Sequence, residues 1–282
     1  MTTLDIMSFA PQGSPHFDNP FDDAEMHEPE AALFDRDTLD AVVISDLHLG
    51  SDNCQAKLAA AFLQSILDGQ LPARRLIING DVFDSIDFRR LKKTHWKVLS
   101  QIRHLSDKID IIWIAGNHDG SAEIISHLLG VQVVEEYILH SGTEKMLFVH
   151  GHQFDEFIID HPVLTWLADG AYWLLQKIDR THYVARLAKR RSKTFVRCVR
   201  KIRDGARRLA LEKRCSVALC GHTHHAEAVP ANPDMPVAYF NSGCWTESPC
   251  TCLTIQRGVV STHCMMMEAD FPRATATAIS AF

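Results

Sequence analysis

The chain has 282 residues, of which 46% are hydrophobic, and it carries a formal net charge of -6. This is enough apolar material for a sizeable core, and the acidic balance disfavours nucleic acid as a partner. No apolar stretch is long enough to span a membrane, and the N-terminus lacks the basic-then-apolar order of a secretory signal, so we expect a cytoplasmic protein. The eight cysteines, mostly within apolar runs, are expected to be reduced thiols.

Residues 1–38 are rich in proline and acidic side chains and show little apolar periodicity, so we expect a disordered acidic tail. The globular domain is expected to span residues 39–270. Residues 271–282, which are rich in threonine and alanine, are expected to form a second tail that frays.

From residue 40 onward, short apolar segments alternate with polar clusters and with segments of helical spacing. Five apolar segments, AVVIS, RLIIN, IIWIA, MLFV and SVALC, are each predicted to be a strand that runs directly into residue types that bind metals. Buried strands with helices between them indicate an α/β fold, in which sites form beyond the carboxyl ends of the strands. We therefore expect the five clusters to converge on one crevice.

The polar clusters contain carboxylates, an amide and imidazoles. They are Asp46 and His48; Asp81 and Asp84; Asn117, His118 and Asp119; His150 and His152; and His222 and His224. A single Asp-x-His at a strand end is more often a turn device, but five clusters in order, most of them with a glycine, indicate a binding site. Oxygen and nitrogen ligands together suit Mn, Fe or Zn better than Ca, and one carboxylate could bridge two cations.

This succession resembles the motifs of the calcineurin-like metallophosphoesterases, which run D-x-H, G-D-x-x-D, G-N-H-[DE], H-G-H and G-H-x-H. The resemblance covers residues 40–256 and fills every motif position. It implies a four-layer α/β/β/α sandwich that binds two divalent cations at one edge, with Mn preferred over Fe, Zn or Ni. One cation would be held by Asp46, His48, Asp81 and His224. The other would be held by Asp81, Asn117, His150 and His222.

His118 is expected to face the substrate rather than a metal. The nearby Asp84 carboxylate would fix its tautomer and raise its pKa, so that His118 could act as general acid or transition-state donor. Asp119 is expected to serve a turn or to orient the ligands. His152 is balanced between a place beside a metal and that of an ordinary loop histidine.

Within the superfamily, the chain looks most like the branch containing UDP-2,3-diacylglucosamine diphosphatase, which hydrolyses a diphosphate bond in a lipid precursor of the bacterial outer membrane. The similar stretches are SDLHLG at 45–50, HGHQFD at 150–155 and YFNSGCWTES at 239–248. Two positions depart from that branch. Its well-known members have an arginine where this chain has His118, and often lack an aspartate where this chain has Asp84.

Residues 158–214 contain an apolar stretch with two tryptophans, followed by a stretch with far more Lys and Arg than acid. We expect a helical insertion that caps the crevice, with an apolar face toward acyl chains or membrane lipid and basic side chains toward phosphates. The alternative is a packed helix followed by a solvated basic face. Candidates for substrate contacts are Asn117, Asp155, Arg190, Arg191, Lys193 and Arg197, although Asp155 could equally cap a helix or orient another group.

The sequence thus predicts a metal-dependent hydrolase acting on a phosphate-containing, UDP-2,3-diacylglucosamine-like lipid, with peripheral contact at the inner membrane. The alternatives are hydrolysis of a soluble phosphomonoester, phosphodiester or nucleic acid, and a non-catalytic adaptor that retains the fold. The complete ligand set argues against the adaptor, because a binding module does not need an open two-metal site. No oligomeric state follows from the sequence.

Overall fold

A computed structural model gives the structure of the protein. It describes residues 38–155 except Ser121, residues 193–265 and residues 277–279. The predicted acidic tail up to residue 37, and residues 158–192 of the predicted insertion, lie outside the described residues.

The described elements follow one another in mixed α/β order. They are β1 (Ala41–Ile44), α1 (Ala56–Leu67), β2 (Arg75–Asn79), α2 (Lys93–Ser106), β3 (Asp110–Ile114), α3 (Ala122–Leu129), β4 (Gln132–Val134), β5 (Glu136–Ser141), β6 (Glu144–Val149), α4 (Lys193–Glu212), β7 (Val217–Cys220), β8 (Glu227–Val229), β9 (Ala238–Asn241), β10 (Cys250–Gln256), β11 (Val259–Met265) and β12 (Thr277–Ile279). Short 3-10 turns lie at Phe88–Arg90 and His152–Phe154. No helix among the described residues has the length and apolarity needed to cross a membrane.

Two sheets form the centre of the structure. The first has the strand order β12-β11-β10-β1-β2-β3-β4, and the second has the order β5-β6-β7-β9-β8. The strands β1 to β4 run parallel to one another, as do β6, β7 and β9. Because parallel neighbours end at the same edge of a sheet, the polar clusters after β1, β2 and β3 gather at one edge, and those after β6 and β7 gather at another.

Alternating residues give each sheet two buried faces. In β1, Val42 packs toward the helices α1 to α3, while Val43 packs toward the second sheet. In β7, Leu219 faces the first sheet, and Ala218 packs against the layer that contains Ala206 of α4. The layers therefore run helix, sheet, sheet, helix, which confirms the predicted sandwich.

Part of the predicted cap belongs to this sandwich. Ile202, Ala206 and Ala210 of α4 are fully buried, and the latter two pack on the outer face of the second sheet. Their spacing of four residues gives the helix one apolar stripe, with lysines and arginines on its other faces. Of the predicted cap at 158–214, residues 193–212 therefore form a helix that packs on the second sheet, and the part before residue 193 lies outside the described residues.

The predicted C-terminal tail contains a strand. Residues Thr277–Ile279 form β12, which pairs with β11 through Val260 and Ile279. Pairing to an existing sheet edge, rather than any apolar pattern in the tail itself, defines this element.

Candidate metal centre

Five predicted ligands have a backbone conformation that side chains rarely adopt. Asp46, His48, Asp81, His222 and His224 have φ angles of 55°, 47°, 53°, 65° and 58°. Holding a residue in this conformation costs about 1–3 kcal/mol, and the conformation persists only where the surrounding structure enforces it. The strained residues are all in the loops beyond the strands, at the convergence of the clusters.

Motif glycines let these loops approach each other closely. A Cβ atom on Gly116 would lie 2.2 Å from Asp81 Oδ1, and one on Gly80 would lie 2.2 Å from His150 Nδ1. Both distances are far inside van der Waals contact. The glycines are therefore required for the ligands to occupy their positions.

Asp46, His48 and His224 form the first cluster of potential metal ligands. Asp46 Oδ1 lies 3.3 Å from His224 Nε2 and 3.9 Å from His48 Nε2. Asp81 Oδ2 lies 3.7 Å from His48 Nε2, so Asp81 borders this cluster. The structure brings together the four residues that the resemblance assigns to one cation.

Asp81, His150 and His222 form the second cluster. Asp81 Oδ2 lies 3.3 Å from His150 Nε2, so one carboxylate faces both clusters. Its other oxygen accepts a hydrogen bond from the backbone amide of His118 at 3.0 Å. Asn117 immediately precedes that amide, and its side chain is exposed. The loop after β3 therefore reaches the second cluster.

The two ring nitrogens of His150 are arranged as in a histidine that binds a metal. Nδ1 donates a hydrogen bond to the backbone carbonyl of Asn79 at 2.8 Å, while Nε2 is buried and has no hydrogen-bond partner among the described residues. Burial acts to lower the pKa of His150, but Asp81 and Asp46 together outweigh burial and raise the pKa to about 9. The surroundings thus favour positive charge at a nitrogen that can bind a metal. The donor set fits two divalent cations that share Asp81.

Two residues outside the motifs lie behind His224. Its Nδ1 is 3.5 Å from Thr246 Oγ1, and the same hydroxyl is 3.4 Å from the Sγ atom of Cys244. Burial acts to lower the pKa of His224, whereas Cys244 and Asp46 raise it to about 10. In the sequence, the only signal for Cys244 and Thr246 is that they lie in the stretch YFNSGCWTES.

Asp119 joins the loops that follow β2 and β3. It is buried, and its carboxylate accepts five hydrogen bonds at 2.7–3.1 Å. The donors are the backbone amides of Asp81, Val82, Phe83 and Gly116 and the Nε1 group of Trp113. Burial and the nearby Asp81 raise the pKa of Asp119, and the hydrogen bonds oppose that rise. Asp119 therefore fixes the loop that presents Asp81.

The predicted pairing of His118 with the Asp84 carboxylate is wrong. His118 Nδ1 lies 3.1 Å from the backbone carbonyl oxygen of Asp84. The carboxylate instead lies 2.6 Å from a guanidinium nitrogen of Arg90 and 3.8 Å from His48 Nδ1. An arginine is a strong, permanently charged partner, which explains why it takes the carboxylate. His118 nevertheless lies near His48 and Asp81, beside both clusters.

Asp155 was expected as a substrate contact, but it is buried and faces a predicted ligand. Its Oδ2 atom lies 3.2 Å from His222 Nε2. His152 lies beside the second cluster, with its ring centroid 5.5 Å from that of His150. Burial, together with His150 and His222, lowers the pKa of His152 to about 4.

Of the four basic candidates, the structure describes the side chain of Arg197. Arg197 is an exposed residue of α4, and Lys193 is the first residue of that helix. Arg190 and Arg191 lie outside the described residues. Among the described residues, the arginine that reaches the site is Arg90, through Asp84. Nothing in its sequence position marks it, because it belongs to none of the five motifs.

Two sheets flanked by helices, with two Asp and His clusters that share one carboxylate, define a metal-binding phosphoesterase fold. The chain belongs to the calcineurin-like phosphoesterase family, whose model matches residues 39–226. This confirms the superfamily prediction, and the family indicates metal-dependent hydrolysis of phosphoesters.

Several solved structures are similar to this chain. A predicted phosphoesterase from Streptococcus pneumoniae has 17% identity and a TM-score of 0.42, covering 85% of this chain and 96% of its own. Yfce, a phosphoesterase from E. coli, has 14% identity and a TM-score of 0.44, covering 78% and 90%. Vacuolar Protein Sorting 29 from Cryptosporidium parvum has 15% identity and a TM-score of 0.43, covering 85% and 97%. At these values the similarity says nothing about activity. No curated protein matches the sequence.

Proposed function

We propose that this protein is a dinuclear metal-dependent hydrolase of phosphoester or diphosphate bonds. The observation that carries the proposal is the position of Asp81, whose carboxylate lies 3.7 Å from His48 Nε2 and 3.3 Å from His150 Nε2. A carboxylate in that position can bind two cations at once. The first cation would be held by Asp46, His48, Asp81 and His224. The second would be held by Asp81, Asn117, His150 and His222.

When bound, two divalent cations polarise a phosphoryl group and lower the pKa of a water molecule. We propose Mn as the cation, with Fe, Zn or Ni as alternatives, since histidine and carboxylate ligands accept all four. His118 would assist the departure of the leaving oxygen. As the imidazolium, the ring would donate Nδ1–H to the backbone carbonyl of Asp84 and Nε2–H to the leaving oxygen, and it would become the neutral Nδ1–H form once the Nε2 proton is transferred.

The general activity can be tested with bis-4-nitrophenyl phosphate and 4-nitrophenyl phosphate. The Mn-loaded protein should hydrolyse at least one of them, and EDTA or the Asp81→Ala substitution should abolish the activity. Asp110→Ala is the matched control, because Asp110 is an exposed carboxylate at the start of β3. A parent protein that hydrolyses neither these esters nor a nucleotide diphosphate sugar, with metal bound, would reject the proposal.

For the substrate, we propose a UDP-2,3-diacylglucosamine-like lipid. The support comes from the three stretches at 45–50, 150–155 and 239–248, and from Arg90, which places a half-exposed cation next to the clusters. A diphosphate carries charge that such an arginine can bind. On this proposal the protein would be cytoplasmic and would contact the inner membrane surface through residues 156–192, which lie outside the described residues.

A soluble phosphoester is the second candidate. It is favoured by the packing of α4 in the sandwich, because that helix supplied the basic half of the predicted cap. The two candidates are separated by comparing kcat/KM for UDP-2,3-diacylglucosamine in detergent micelles with kcat/KM for UDP-glucose. A ratio above about a hundred would support the lipid, and a ratio near one would support the soluble substrate.

A further inference from the structure

The turn Gly151–Asp155, which follows β6, packs against one face of α4. A Cβ atom on Gly205 would lie 2.6 Å from Phe154 Cδ1, so the helix and the turn are in close contact. A Cβ atom on Gly151 would lie 3.1 Å from Cγ2 of Ile202. The helix residues Ile202 and Gly205 are three positions apart and therefore share a face. The position of the turn is set by this helix.

Asp155 ends the turn and connects the helix to a candidate metal ligand. Its side chain is buried, with 7% of the residue exposed. Oδ2 accepts a hydrogen bond from Cys198 Sγ at 3.2 Å, and the same oxygen lies 3.2 Å from His222 Nε2. Cys198 precedes Ile202 by one helical turn and lies on the same face of α4.

The two histidines of the second cluster are held through opposite ring nitrogens. Because the oxygen of a carboxylate accepts hydrogen bonds, Nε2 of His222 is the protonated nitrogen, and Nδ1 is left with the electron pair that can bind a cation. In His150 the order is reversed, since Nδ1 donates to the carbonyl of Asn79 and Nε2 has no hydrogen-bond partner in the part of the chain that the structure describes. A metal ligand whose second nitrogen donates to a carboxylate is fixed in both tautomer and orientation.

We propose that Asp155 is a positioning residue that fixes His222 in the Nε2–H tautomer and presents its Nδ1 to the second cation, with α4 holding Asp155 through Cys198. This rests on the two-metal centre proposed above. It also distinguishes the two cation positions, because the groups behind His224 are the Thr246 hydroxyl and the Cys244 thiol rather than a carboxylate. Loss of the Asp155 carboxylate should therefore weaken cation binding at the second position and leave cation binding at the first position unchanged.

The test uses the full chain loaded with Zn²⁺, which is diamagnetic. Bound zinc is measured by mass spectrometry after dialysis, and zinc affinity is measured by competition with a chelator. The parent should retain two ions, and Asp155→Ala should retain one, with the affinity of the weaker position reduced about 10–100-fold. Asp155→Asn keeps the size of the side chain and one acceptor oxygen, so it should fold as the parent does and lose less affinity than Asp155→Ala. Asp110→Ala is the control and should retain both ions.

The tautomer is tested separately by long-range ¹H–¹⁵N spectra of the imidazole rings. His222 should carry its proton on Nε2 and His150 should carry its proton on Nδ1. Retention of two ions with parental affinity in Asp155→Ala would overturn the inference, and so would a His222 proton on Nδ1. Neither result would contradict the proposed hydrolase function. Selective loss of one ion in Asp155→Ala, together with no hydrolysis by the parent, would reject the proposed function and support the positioning role. A parent that binds no zinc would overturn both.

Discussion

The ring of His118 contacts the main chain of Asp84, not its side chain: Nδ1 lies 3.1 Å from the backbone carbonyl oxygen. The Asp84 carboxylate is 2.6 Å from Arg90 and 3.8 Å from His48 Nδ1. The orientation of His118 is therefore independent of the charge at position 84. The carboxylate serves to hold the arginine beside the candidate metal centre.

His118 and Asp84 should accordingly differ when substituted. We expect His118→Asn to lower kcat about 10²–10⁴-fold, the usual contribution of a positioned acid or base. Asp84→Asn should lower kcat by less than about tenfold, because the backbone carbonyl that contacts His118 is unchanged. The measurement is the steady-state rate with bis-4-nitrophenyl phosphate at saturating Mn. Metal content serves as the control in both variants. Equal losses in kcat would instead support the pairing of His118 with the Asp84 carboxylate that the sequence predicted.

Arg90 should contribute to substrate binding. Its side chain is about half exposed and is held by Asp84 beside His48, so it can meet a phosphate that enters the crevice. We expect Arg90→Ala to raise KM about tenfold, the value of one charge-assisted hydrogen bond, with a smaller change in kcat. Arg89→Ala is a matched control, because the adjacent Arg89 is 90% exposed and pairs with Asp87. A rise in KM of the same size in both variants would show a general effect of charge.

The ligand clusters could be predicted from sequence because each follows an apolar strand and lies in a motif. The partner of Asp84 could not. Arg90 lies six residues further along the chain, and the irregular turn between them brings the two together. The same holds for Asp119, most of whose donors are backbone amides that no side-chain pattern reveals. In α4, the small residues Ala206 and Ala210 form the buried stripe, and a count of the surrounding basic residues conceals it.

Asp119 should be important for stability as well as for the site. Asp119→Asn replaces one acceptor oxygen by an NH₂ group, which faces backbone amides that are donors themselves. We expect the free energy of unfolding to fall by about 2 kcal/mol or more, since buried donors lose their acceptor. The measurement is equilibrium unfolding in urea. Asp110→Asn, an exposed carboxylate, should change it by less than about 0.5 kcal/mol. Equal stability of the two variants would contradict the role of Asp119 in joining the loops.

Gly116→Ala should disturb the bridging carboxylate directly. The added Cβ would lie 2.2 Å from Asp81 Oδ1 and 2.3 Å from the Asp81 backbone nitrogen, so the loop must move. We expect a loss of bound metal of at least about tenfold in affinity, as for other disturbances of groups that orient ligands. Gly69→Ala is a useful comparison, because no atom lies within 4 Å of its added Cβ, although its φ of +72° makes the substitution strained. Retention of both cations by Gly116→Ala would show that the loops adjust without cost.

His95 should make part of the stability of the protein dependent on pH. The buried ring accepts a hydrogen bond from the backbone amide of Lys92 at its Nδ1 atom, 3.1 Å away, at the start of α2. Burial lowers the pKa of His95 below its ordinary value of 6.5. The unfolded chain therefore binds the proton more readily than the folded protein does. The stabilisation is complete above pH 6.5 and decreases as the pH falls below it.

His95→Gln keeps an acceptor at the third helical position and removes the titration. We expect the variant to lose less free energy of unfolding than the parent when the pH falls from 7.5 to 5.5, as measured by urea unfolding at each pH. The difference belongs to His95 because every other histidine is present in both proteins. If the two proteins lost the same free energy over this interval, protonation of His95 would not be coupled to folding, and the hydrogen bond at the start of α2 would contribute nothing measurable to stability.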